Sequence, residues 1–129
     1  MTVAHLSQEW LDLRQQLASS LPARPGATAR VQTVVAKTPN GEVAYVESFE
    51  DGRLVAATLG ADDGADCTVN VTYADSLAIA RGEVAVHTGF MQGRVKVAGN
   101  TNALFTLVPV LRSEEYAALG AELAGQTDL

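Results

Sequence analysis

Phe90-Met91-Gln92-Gly93-Arg94-Val95-Lys96-Val97-Ala98-Gly99-Asn100 carries a helix end, a strand and a turn in eleven residues. Gln92-Gly93 reads as a tight helix-to-strand junction where a side chain would clash. Beyond it, Arg94 and Lys96 point to water while Val95 and Val97 point inward. Gly99-Asn100 then turns the chain toward a further helix. A fold that holds this stretch mixes helices and strands at close quarters.

Upstream, Cys67 to Thr72 alternates as a strand, with Cys67, Val69 and Val71 on one side. Asp75 can cap a short helix that carries Leu77, Ala78 and Ile79 and stops before Gly82. Glu83 to Met91 reads as a second short helix. Downstream, Ala103 to Leu111 is almost wholly apolar, and Pro109 should kink or end it as a helix. Ser113 caps a last helix over 113–124, with Glu114 and Glu115 in its positive first turn. Tyr116, Leu119 and Leu123 share one face of it.

The first half of the chain is read as a helix and a meander. Leu6, Trp10, Leu13, Leu17 and Leu21 recur at helical spacing, which predicts a helix over 3–21 that Pro22 and Pro25-Gly26 stop. That helix either packs on a sheet or covers a ligand or partner. Val31 to Ala36 and Glu42 to Phe49 flank Asn40-Gly41, a hairpin cue. Arg53 to Leu59 follows across Asp51-Gly52, a second type I′ candidate. Gly60 to Asp66 is a small-residue acidic loop. With no repeat and no long linker, 1–129 reads as a single α+β domain with an antiparallel sheet.

The chain has 129 residues, 47% of them hydrophobic and 19% charged, which is enough for one core. Nine basic against fifteen acidic residues leave a net charge of -6, and the pI is about 4.7. Counterion release from nucleic acid needs the opposite balance, so no nucleic-acid partner is expected. Aromatics are only 5%, so aliphatic side chains fill the interior. A local patch at Arg94 and Lys96 can still meet lipid headgroups. No run approaches the roughly 18 apolar residues of a membrane span. The first residues lack a secretory pattern, and Thr127-Asp128-Leu129 is not the peroxisomal tripeptide. A cytoplasmic location is expected.

Catalytic constellations are absent from the sequence. His5 and His87 are its two histidines. His87 can pair with Glu83, as many surface histidines do, and no nucleophile elbow is present. Asp62, Asp63 and Asp66 lack the spacing of a calcium loop and read as a solvated loop. No phosphate-cradling glycine motif supports a nucleotide cofactor. Cys67, the single cysteine, reads as a small buried hydrophobe. Thus no catalytic residue, metal or cofactor is expected. What remains is a concentration of apolar residues in the second half, from Phe90 to Leu123. By itself it fits either a filled core or the wall of a ligand site.

The order of elements and the Phe90–Asn100 stretch resemble the sterol carrier protein type-two family. The stretch is similar to that family's Phe-x-Gln-Gly-Lys-Leu-Lys-Ile-x-Gly-Asn/Asp signature, with Arg94 and Val95 as conservative changes. Ala78-Ile79-Ala80-Arg81-Gly82-Glu83 is similar to the short helix and Gly-Glu turn just upstream of it. The resemblance covers about 28–112 well and the terminal helices loosely. It implies a five-stranded, mainly antiparallel sheet covered on one face by helices, with an apolar tunnel between them. The tunnel residues it implies are Leu77, Phe90, Met91, Val95, Val97, Leu104, Phe105, Leu107, Val108 and Leu111. Tyr116, Leu119 and Leu123 would close it.

The function so implied is non-catalytic carriage of a fatty acid, fatty acyl-CoA or sterol. The alternative is an interaction, dimerisation or substrate-delivery module that partners an enzyme of lipid or sterol metabolism. The resemblance also allows transient membrane contact and a homodimer. Pro109, Thr101-Asn102 and His87-Thr88-Gly89 depart from the family pattern. These departures favour a lipid in general over a sterol in particular.

Overall fold

The computed structural model describes residues 2–128, with His87 described by its backbone alone. The expected helix over 3–21 is shorter. Val3–Ala4 forms a strand, β1, that pairs in parallel with β7 (Thr127–Asp128) and ties the two ends of the described chain together. Helix α1 then runs Gln8–Ala18. Ser7 sets its start, because its hydroxyl accepts from the Trp10 N–H at 3.1 Å and satisfies one orphan donor of the first turn. The buried line on α1 is Trp10, Leu11 and Ala18, rotated from the expected leucine line, and Leu13 and Leu17 are only partly buried. Arg14 lies within that buried line.

Five strands form the main sheet: β2 (Ala29–Thr38), β3 (Gly41–Glu50), β4 (Arg53–Leu59), β5 (Cys67–Thr72) and β6 (Lys96–Gly99). Their spatial order is β4-β3-β2-β5-β6. All neighbours are antiparallel except β2 and β5, so the sheet is mainly antiparallel, as expected. The meander is β2-β3-β4, and the chain must then cross from one edge of it to the far side of β2. The acidic loop makes that crossing, and it is pinned rather than simply solvated. Asp66 accepts from the Arg30 N–H at 2.8 Å, and Asp62 pairs with the Arg30 guanidinium at 3.2 Å.

One face of the sheet is apolar by period-two alternation. Ala29, Val31 and Val35 of β2, Phe49 of β3, Leu54 and Ala57 of β4, and Cys67 and Val71 of β5 are all buried. Asp51 and Gly52 both have positive φ, at 50° and 87°, as a type I′ turn requires. Asn40-Gly41 does not form one. Positive φ falls on Lys37 and Gly41, and the β2–β3 register shifts between Val35 and Thr38, so a bulge replaces the expected turn.

The helices follow β5. Helix α2 (Tyr73–Ala80) is capped by Thr72, whose hydroxyl accepts from the Asp75 N–H at 3.2 Å; Asp75 is in the first turn and is not the cap. Helix α3 (Val86–Met91) is shorter than the expected 83–91. Gly93 has a φ of +76°, and a Cβ there would meet nothing within 4 Å. Glycine is needed there for backbone hand and not to avoid a clash, which corrects the sequence reading. Crowding acts instead at Gly99, where a Cβ would lie 3.1 Å from the Asp66 carbonyl oxygen on the adjoining chain.

The apolar run over 103–111 divides into α4 (Thr101–Phe105) and α5 (Val108–Leu111). Pro109 begins the second helix instead of ending the first, because its missing N–H falls where no intrahelical bond is due. Helix α6 (Glu114–Gly125) starts at Ser113, whose hydroxyl accepts from the Tyr116 N–H at 3.1 Å.

Candidate functional site

Between the apolar sheet face and the helices lies a cavity of about 490 Å³. That volume suits a single small-molecule ligand. The sheet contributes Val31, Phe49, Val69 and Val71 to its wall. Ile79 and Ala80 come from α2, Leu104 from α4, and Leu111 from α5. Ala117, Gly120, Ala121 and Ala124 come from α6. The lining is chiefly aliphatic, so an apolar chain entering it leaves water for hydrocarbon surroundings.

Of the residues expected along a tunnel, Val95, Leu104, Leu107, Leu111, Tyr116 and Leu123 line this cavity together. Leu119 is buried in the core but does not reach the lining. Leu77, Val97 and Val108 are partly buried and also lie outside it. Phe90, Met91 and Phe105 face outward, with exposures of 41%, 82% and 50%. Phe90 and Phe105 meet edge to face, ring centroids 6.4 Å apart. They form a surface patch next to the wall segments at Val86 and Leu104.

One end of the cavity is polar. Arg14 of α1 donates from Nε to the Glu47 carboxylate of β3 and from Nη2 to the Tyr116 hydroxyl of α6. The Arg14 and Glu47 side chains are only 14% and 7% exposed. The Arg14 guanidinium also lies 5.5 Å from the Tyr116 ring centroid. Burial opposes the Arg14 charge, but Glu47 and the nearby tyrosine hydroxyls outweigh it and hold the guanidinium charged. Burial pushes the Tyr45 phenol up, and Glu47 adds to this, so Tyr45 stays neutral.

A model of the SCP-2 sterol transfer family matches residues 11–112. The chain belongs to that family. A segment of 63 residues is 35% identical to sterol carrier protein 2 of Gallus gallus, covering 48% of this chain and 11% of that relative. The chain therefore matches about a tenth of the relative's length. The solution structure of palmitated SCP2L2 from Aedes aegypti aligns over 88% of this chain and 96% of its own, with a TM-score of 0.64 at 18% identity. A crystal structure of sterol carrier protein 2 aligns over 94% and 95%, with a TM-score of 0.66 at 17% identity. At these identities the two structures establish the α+β fold. The SCP-2 family is one of lipid and sterol binding and transfer.

In this SCP-2 chain several cavity residues escaped the sequence reading. Ala117, Gly120, Ala121 and Ala124 are small, and a search for tunnel residues among large apolar side chains passes over them. Small residues leave space, whereas large ones such as Leu119 fill it. Arg14 and Glu47 carried a readable signal. Each is a charge on an otherwise apolar face, Arg14 one turn after Trp10 and Glu47 between Tyr45 and Phe49 in the period-two pattern.

His5 also reaches the SCP-2 cavity wall. Its Nε2 lies 3.3 Å from the Ser76 hydroxyl, and its ring packs edge-on to Trp10 at 5.1 Å. Nδ1 is buried without a partner among the described residues. Burial, with a smaller contribution from Arg81, lowers its pKa from 6.5 to about 4. The unfolded chain then binds a proton in this window that the folded chain refuses. The His5 contribution to stability is complete above about pH 6.5 and is lost as the pH falls toward about 4. The melting temperature of the wild type should fall over that window more steeply than that of His5→Gln. Parallel melting curves for the two proteins would remove His5 from this role.

Cys67 is buried, and burial with the neighbouring Asp66 raises its thiol pKa, so it behaves as a small hydrophobe. The His87 side chain lies outside the described residues. Among the described residues, no three His, Cys, Asp or Glu side chains gather to hold a metal ion. Among them, too, no helix is long and apolar enough to cross a membrane.

Proposed function

We propose that this chain, acting as one unit, binds and carries a single hydrophobic ligand in its cavity without chemical change to it. The observation that carries this reading is a chiefly aliphatic cavity of about 490 Å³ within an SCP-2 domain. The ligand classes are a fatty acid, a fatty acyl-CoA or a sterol. The driving force is burial of hydrocarbon, worth roughly 0.8 kcal/mol per CH₂ group. The palmitated neighbour from Aedes aegypti supports an acyl chain as one occupant of such a fold.

Native mass spectrometry tests the reading directly. The folded chain should form a one-to-one adduct with at least one of a fatty acid, an acyl-CoA and a sterol. A folded sample that takes up none of them would leave the cavity as a packing void and return the chain to the interaction-module alternative.

The exposed Phe90, Met91 and Phe105 patch, with the exposed Arg94 and Lys96 close to it in the sequence, fits transient contact with an anionic lipid surface. Apolar side chains dip into the interface while cations meet the headgroups. Met91→Asp should slow ligand transfer to phosphatidylserine vesicles about fivefold to tenfold, since it removes an exposed apolar side chain that would enter the lipid interface and adds a repelled charge. Ligand affinity in solution should stay as in the wild type. Unchanged transfer would show that the patch faces something other than a membrane.

A further inference from the structure

We infer that the polar end of the cavity selects a ligand with a neutral hydroxyl head over one with an ionised carboxylate or ammonium, through Arg14, Glu47 and Tyr116. This rests on the lipid-carrier reading above. The three residues come from a helix, a strand and a later helix, and all three line the same cavity. An aliphatic site has no need of a buried ion pair. Replacing such a pair by packed apolar side chains is often neutral or stabilising.

The atoms define what the head must be. The charges of Arg14 and Glu47 cancel within the pair. Arg14 is already engaged, through Nε with Glu47 Oε2 and through Nη2 with the Tyr116 oxygen. The Tyr116 oxygen accepts from Arg14, so its own O–H is left to donate. Glu47 uses Oε2 for Arg14, and no donor among the described residues meets its Oε1. The end of the cavity therefore offers the Tyr116 O–H and the remaining Arg14 N–H groups as donors and Glu47 Oε1 as an acceptor, with no net charge. A hydroxyl group, itself donor and acceptor, meets both kinds.

A carboxylate is acceptor-only and would place a second negative charge beside Glu47, where the guanidinium is already neutralised. An ammonium is donor-only and would face Arg14. Beside side chains as buried as Arg14 and Glu47 either charge is left uncompensated, and Arg81, the other cation that lines the cavity, is exposed to water. The tail in each case rests on the same aliphatic wall, so the head alone discriminates.

Trp10 is the one tryptophan of the chain and lines the cavity, so its fluorescence reports occupancy. The test titrates the full chain at neutral pH with dodecanol, dodecanoate and dodecylammonium, which share one tail. Dodecanol should bind about tenfold or more tightly than either charged ligand. Glu47→Gln keeps the shape but frees the Arg14 charge, and should make dodecanoate the preferred ligand. Dodecanoate binding as tightly as dodecanol to the wild type overturns the inference, and so does an unchanged ranking in a folded Glu47→Gln protein. Should that variant not fold, the wild-type ranking of the three ligands decides alone. Failure of all three to bind the folded wild type overturns the lipid-carrier reading itself, and this inference with it.

Discussion

Glu47→Ala should lower the unfolding free energy by about 3–5 kcal/mol, readable as a fall in the denaturant midpoint. The loss does not measure the worth of the Arg14–Glu47 contact. It arises because Arg14 keeps its charge and remains buried, with only the Tyr116 hydroxyl left as a partner. An uncompensated charge in a low-dielectric interior is the costly state. The double variant Arg14→Met with Glu47→Leu removes both charges together. It should recover most of the loss, to within about 1 kcal/mol of the wild type, or exceed it. Near-equal stability of wild type and Glu47→Ala would mean that water reaches the pair freely. The double variant should also retain an alkyl ligand while losing discrimination between heads, which separates the stability role from the selective one.

Gly120→Phe should weaken ligand binding at least about tenfold while leaving the fold as stable or more so. Gly120 lies within α6 and lines the cavity, and a Cβ added there meets nothing within 4 Å. The new ring therefore grows into space that the ligand would occupy. In the empty protein, replacing a mid-helix glycine removes a backbone entropy cost of about 0.5–1 kcal/mol, and the ring buries apolar surface. Opposite signs for binding and stability are the mark of a filled cavity. A variant that binds as the wild type does would place the ligand elsewhere. A variant that loses stability would show that α6 packs more closely than its small residues imply.

Much of the architecture was readable from local patterns. The Asp51-Gly52 turn and the Ser113 cap each depend on a few adjacent residues, and each appears where it was expected, whereas the strand expected to carry Val95 and Val97 begins only at Lys96. The strands over 29–59 follow from period-two alternation in the same way. Misreadings occurred where a nonlocal contact set the outcome. The N-terminal helix lost its first turn to the pairing of Val3–Ala4 with Thr127–Asp128, more than a hundred residues away. The acidic loop is held by Arg30 on a strand it must cross, and nothing within the loop announces that partner.

The candidate site divides along the same line. Six residues of the apolar second half meet around the cavity. Phe90, Met91 and Phe105 have the same composition signal and face outward instead. Hydrophobicity states that a side chain gains by leaving bulk water. Whether core, cavity, membrane or partner receives it depends on which elements come to stand opposite.

By itself the sequence determined most of the element types, the α+β class and the family signature at Phe90–Asn100. Only the tertiary structure decided that the Arg14 and Glu47 charges face each other, that Tyr116 joins them, and that the small residues of α6 leave a space open. The reason is physical. Periodicity and capping act over a turn or a pleat, within reach of neighbouring residues. A cavity is the volume left when side chains from distant segments fail to meet, and no local stretch of chain specifies it.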